Sequence, residues 1–178
     1  MPVRTVGNLP ALYEQDETAW LEAMAELARE GHAKGLDLVH LAEFLSDMAK
    51  RDRREVESRM GVLLAHLLKW EHQAGRRSRG WRVIVVEQRQ ELDGLASGGV
   101  LRQHAETVLG KAYTRAAERA AAETGLPVET FPRDCPYTIE GLFTVVLAME
   151  SESPFLLFQR IGASIPNKNM VGWDRERY

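Results

Sequence analysis

The sequence predicts an all-α fold: a single helical bundle of about four principal helices, the second long and kinked or broken, with a coil-rich C-terminal tail. Three observations carry this. Apolar residues recur at three- and four-residue spacing over most of residues 13–125, which puts them on one face of a helix. The β-branched run Val83 to Val86 lacks the period-two flanks of a strand, since "EQRQEL" follows it. Finally, 178 residues with 44% hydrophobic content suffice for one domain with a substantial core, and not comfortably for two.

The first predicted helix runs from Tyr13 to Glu30 on the stripe Trp20, Leu21, Met24, Leu27 and Ala28, with Asp16 as a cap at its start and Gly31 at its end. After Asp37 a second stripe, Leu38, Leu41, Ala42, Leu45, Met48 and Ala49, resumes as Val56, Met60, Leu63, Leu64, Leu67 and Leu68. Between them, at "KRDRRE", the apolar pattern fails. An unbroken helix from Asp37 to His72 would be about 54 Å long, so a kink or short break is expected near Lys50 to Arg53. "QAGRRSRG" supplies a turn, and Trp81, Ile84, Val85, Leu92 and Leu95 mark a third helix. After "SGG", the stripe Leu101, Ala105, Val108, Leu109, Ala112, Ala116 and Ala120 marks a fourth that ends near Gly125 and Pro127. "LPVETFPRDCPYT" reads as proline-punctuated coil. The expected organisation is a lead-in of residues 1–12, a helical domain of 13–138, and an extension of uncertain order from 139 to 178.

A formal charge of −3 at pH 7 excludes a globally basic nucleic-acid binder and leaves only local basic patches. The lone Cys135 excludes an internal disulfide and a four-cysteine metal site, and suits a reducing compartment. The start "MPVRTVGNLP" has no apolar core of signal-peptide length, and the apolar run "LFTVVLAM" is far below the roughly 20 residues that span a bilayer. The expected location is cytoplasmic, away from the membrane.

His40, Glu43 and Asp47 have the spacing of a helical metal site, but Glu43 and Asp47 lie about 160° from the middle of the Leu38, Leu41, Leu45 stripe and so face water. No metal or cofactor is expected. His66 and Trp70, four apart, read as a half-buried histidine against an indole. Gln88, at the centre of the third helix's apolar face, reads as a buried amide that ties helices together, and Ser78 as the cap of that helix. Lys69, Arg76, Arg77, Arg79 and Arg82, with Trp70 and Trp81 at the edges, form a basic and aromatic turn suited to phosphate, nucleobase or carboxylate partners. Cations near a helix C-terminus also complement its dipole, which explains the same residues without a ligand.

The stretches "YEQDETAW", "LDLVHLAE", "LLAHLLKWEHQAGRRSRGW", "EQR", "AYTRAAERAAAETGLP" and "TFPRDCPYT" resemble, in order, a family known mainly from bacteria and described as domain of unknown function 29. The likeness covers Tyr13 to about Thr138 and implies an α-helical bundle. It implies no activity. Where that family usually carries paired glutamates followed by a glycine, this chain has Glu43 with Phe44 and then Ala49.

The residues favour a non-catalytic helical interaction module that pairs with itself as a homodimer or with another protein. One alternative is nucleic-acid or anionic-ligand binding through the Lys69 to Arg82 turn. Another is a metal-dependent hydrolase or nuclease using Glu43, Asp47 and His66, although a straight helix would hold the first two about 30 Å from the third.

Overall fold

A computed structural model describes residues 8–144 and bears out the all-α class: the described residues contain six α-helices and no strand. They are α1 (Leu9–Gln15), α2 (Glu17–Arg29), α3 (Leu38–His72), α4 (Arg79–Ala96), α5 (Gly99–Thr124) and α6 (Ile139–Thr144). The run Val83 to Val86 lies within α4. Residues 1–7 of the expected lead-in and 145–178 of the expected extension lie outside the described residues. The chain divides into two compact units, Met1–Arg51 and Asp52–Tyr178.

In the first unit, Asp16 ends one helix and starts the next. Its backbone N–H returns to the Leu12 carbonyl at 2.8 Å, while its carboxylate accepts from the Ala19 N–H at 3.0 Å. The single helix expected from Tyr13 is therefore two. Gly31, at φ 75°, closes α2: its N–H reaches the Ala28 carbonyl and the His32 N–H reaches Leu27, a Schellman end that favours glycine. Trp20 is fully buried, with Tyr13 edge-on at 4.9 Å and Phe44 at 5.9 Å. His40 bonds through Nδ1 to Asp37 at 2.7 Å; burial alone would raise the Asp37 carboxyl, but the bonds from His40 outweigh it and hold it below its ordinary range.

Two expectations for α3 need correction. The helix does not break at Lys50–Arg53, because lysine, arginine and glutamate are strong helix formers and the ion pairs Lys50–Asp47 (2.8 Å) and Arg59–Glu55 (2.6 Å) support that stretch. The lost stripe marks the boundary between units instead. Nor is the first stripe wholly a core face: Leu41 and Phe44 are partly buried, whereas Leu38 (63%), Leu45 (55%) and Met48 (43%) are exposed.

The second unit is built on the later stripe of α3. Val56, Met60, Leu63, Leu64, Leu67 and Leu68 are buried against Val85 and Leu92 of α4 and the alanines 105, 112, 116, 117 and 120 of α5. Contacts fix the directions. Arg59 meets Glu91 and Lys69 lies over Trp81, so α4 runs antiparallel to α3. Glu57 meets His104 and Lys69 meets Glu123, so α5 runs along α3. Gly125, again left-handed at φ 75°, ends α5 with its N–H on the Ala121 carbonyl.

Candidate functional site

The polar groups of the second unit gather where α3 ends, α4 begins and α5 ends. Ser78 is the N-cap of α4, its hydroxyl accepting from the Trp81 N–H at 3.2 Å. Lys69 is not on the surface: only 4% exposed, its ammonium donates to His66 Nε2 at 3.2 Å and to Glu123, and lies 5.0 Å from the centre of the Trp81 ring. His66 Nδ1 faces the Val62 carbonyl at 2.9 Å. A carbonyl accepts and an ammonium donates, so His66 is neutral with its proton on Nδ1. Burial pushes the His66 imidazole below its ordinary pKa in keeping with that tautomer. Burial alone would raise the Glu123 carboxyl, but hydrogen bonds from Lys69 and Arg119, the latter at 2.7 Å, hold it at about 2.

Trp70 is buried as well, and Arg77 is fixed upon it. The guanidinium Nε donates to the Trp70 carbonyl at 2.9 Å, and its centre lies 5.3 Å from the indole ring. Gln73 donates to the Thr124 carbonyl at 3.3 Å and ties the turn to the end of α5. Of the residues expected to make a binding surface, Lys69, Trp70 and Arg77 are thus occupied within the fold and Trp81 is half-buried, whereas Arg76, Arg79 and Arg82 are exposed. Gln88 is half-buried rather than buried.

A second network was missed by the sequence reading. Glu71 is half-buried as a residue, but Oε1 is sealed from solvent without a hydrogen-bond partner and Oε2 accepts from the Tyr137 hydroxyl at 2.9 Å. Burial pushes its carboxyl up to about 8, against the opposing pull of Tyr137 and Arg77. Tyr113 packs beside Tyr137 and donates to the Pro132 carbonyl at 2.7 Å, while the Cys135 thiol, pushed up to about 11 by burial, points at the Tyr137 carbonyl. His72 Nε2 is buried without a partner, its ring edge-on to Phe131. A signal existed: Glu71 follows Leu64, Leu67 and Leu68 by seven, four and three residues, which is the core face of α3. No such signal marks Tyr137, which lies in coil 66 positions away.

Among the described residues, no three histidine, cysteine, aspartate or glutamate side chains converge to hold a metal ion, and no helix is long and apolar enough to cross a membrane. Glu43 and Asp47 belong to the first unit and His66 to the second. Fold and site together define an all-α domain in which Lys69 and Glu123 take up one another while the buried end of Glu71 meets Tyr137 alone. The family model for the domain of unknown function DUF29 matches residues 12–145, and the chain belongs to that family. No curated protein and no solved structure matches it.

Proposed function

We propose that the protein is a non-catalytic helical interaction module of the bacterial cytoplasm that pairs with a second copy through the first half of α3, with residues 13–138 as its helical domain, 1–12 as a lead-in and 139–178 as an extension. The observation carrying this is the exposed stripe Leu38, Leu45 and Met48, whose side chains are 63%, 55% and 43% open to solvent. Ala42 and Ala49 lie between them on the same face, also exposed, and their small side chains let a second helix approach closely.

Light scattering at tens of micromolar should give the mass of a dimer, and the double variant Leu38→Glu, Leu45→Glu should give a monomer. Both side chains are exposed, so each replacement should change stability by only about 0.5 kcal/mol. A monomeric parent, or a variant that still dimerises, removes the pairing from this account.

Exposed Arg76, Arg79 and Arg82 favour a second reading, association with nucleic acid at the turn. Changing all three to Gln should abolish binding of a short single-stranded oligonucleotide and leave thermal stability unchanged, and binding by the parent should fall steeply with salt. Equal binding by parent and variant would exclude this turn.

A further inference from the structure

Away from the turn, α3 and α5 enclose an open groove of about 360 Å³, within the range of small-ligand sites. Arg54, Ser58 and Gly61 line it from α3, and Arg115 and Arg119 from α5. Residues 54, 58 and 61 stand four and three apart, as 115 and 119 stand four apart, so each helix presents one stripe to the groove. Three guanidinium groups on one concavity repel each other unless something negative lies between them.

The carboxylates at hand offset that charge only in part. Glu57, also at the groove, bonds to His104 at 3.1 Å. Arg54 and Arg115 form no ion pair with the described residues, unlike Arg29, Arg59 and Arg102. Arg119 does have a carboxylate, but the bond uses only its Nε, which leaves both terminal amino groups without a described partner. Glu123 is in turn gripped by buried Lys69, and Lys69 by His66. Arg119 is therefore held in place from behind by an internal chain of bonds, which lowers the entropy lost when its free amino groups engage a ligand.

Gly61 points the same way. Glycine inside a helix costs roughly 0.5–1 kcal/mol relative to alanine, and here neither backbone nor packing requires it: a Cβ at this position would meet nothing within 4 Å. Its effect is to leave the groove open.

We propose that this groove binds a small phosphorylated molecule, a phosphomonoester or diphosphate, with Arg54, Arg115 and Arg119 on the phosphate oxygens and the Ser58 hydroxyl as a further donor. No aromatic side chain lines the groove to stack a base, and the chain carries a net charge of −3, so a small anion suits it better than a nucleic-acid strand.

Titration calorimetry of the full chain with inorganic pyrophosphate at low salt tests this. The parent should bind, and the double variant Arg54→Gln, Arg115→Gln should bind at least about tenfold more weakly, the loss expected when charge-assisted bonds are removed. Gly61→Leu should also weaken binding by filling the groove, and Gly61→Ala should raise the thermal midpoint, which reports separately on folding. Absence of pyrophosphate binding by the parent at about 10 mM overturns the proposal, since that is far above the concentrations at which small ligands are normally captured. So does a folded double variant that binds like the parent. A short single-stranded oligonucleotide that binds through Arg54 and Arg115 more tightly than pyrophosphate does also overturns it, because the groove would then be a strand-binding surface.

Discussion

Replacing Glu71 with Gln should remove a pH dependence from the stability of the second unit. In the folded protein the Glu71 carboxyl is pushed by burial from its ordinary 4.5 to about 8, so between those values the folded state holds a proton that the unfolded chain has lost. Stability must then fall as pH rises through that window, by about 1.4 kcal/mol per unit at most, and by about 3 kcal/mol at pH 7 relative to a group that never ionises. The amide introduced by Glu71→Gln has nearly the same shape as the carboxyl and can still accept from Tyr137, but it carries no such proton. The difference in unfolding free energy between Glu71→Gln and parent should therefore grow in favour of the variant from pH 4.5 to 8. His66 and His72, both lowered by burial, act in the opposite sense: they remove stability as pH falls below their ordinary 6.5. They are common to both proteins and cancel in the difference. Urea titrations at several pH values measure it, and parallel curves would mean that the Glu71 carboxylate is ionised and solvated in the folded state.

Lys69→Ala should lower stability by about 3 kcal/mol, the second large effect. The substitution leaves a cavity under Trp81, removes the donor from His66 Nε2, and strips Glu123 of its strongest partner. Lys69→Met keeps most of the volume and should lose less, which separates packing from charge. The Glu123 side chain is 35% exposed, so water screens part of the pair and the full cost of an isolated buried charge is not expected. In a double-mutant cycle with Glu123→Gln, the Lys69→Met pair should show a coupling above about 1 kcal/mol, and additive effects would show that the two groups stabilise the fold independently. Acid titration gives a further check. Glu123 is held at about 2, so its contribution is present above its ordinary 4.5 and lost as pH falls towards 2, and Lys69→Met should shrink that loss.

The elements legible in the sequence are those whose signals are local. Trp20 and Met24 mark α2, Gly31 and Gly125 mark helix ends, and the leucines of α3 and alanines of α5 recur at the helical period. α1 was not legible because seven residues hold too little of a stripe; Pro10 sits in its first turn, which tolerates proline. Of the kink or short break expected in α3, the break came from treating loss of an apolar face as loss of helix; a charged stretch can stay helical on propensity and ion pairs alone. The site divides the same way. The cap at Ser78 is a local contact, whereas the burial of Lys69 depends on Glu123, 54 positions away, and that of Glu71 on Tyr137, 66 positions away. Such pairs are made by the fold, and a lysine or glutamate next to a tryptophan looks the same in sequence whether or not its partner exists.

The inner face of α5 offers α3 and α4 five alanines, and alanine has no rotamers to lose when a chain becomes ordered. The leucines and Met60 across from it do give up side-chain freedom, as Tyr113 of α5 does, so the larger share of the entropic burden of assembling this core falls on the α3 wall. The alanine wall has no slack. A core leucine can swap for methionine or isoleucine by repacking, but a methyl group can grow only by moving a backbone. Sequence drift in this unit is therefore accommodated by α3 and α4, while α5 keeps the distance between helices fixed.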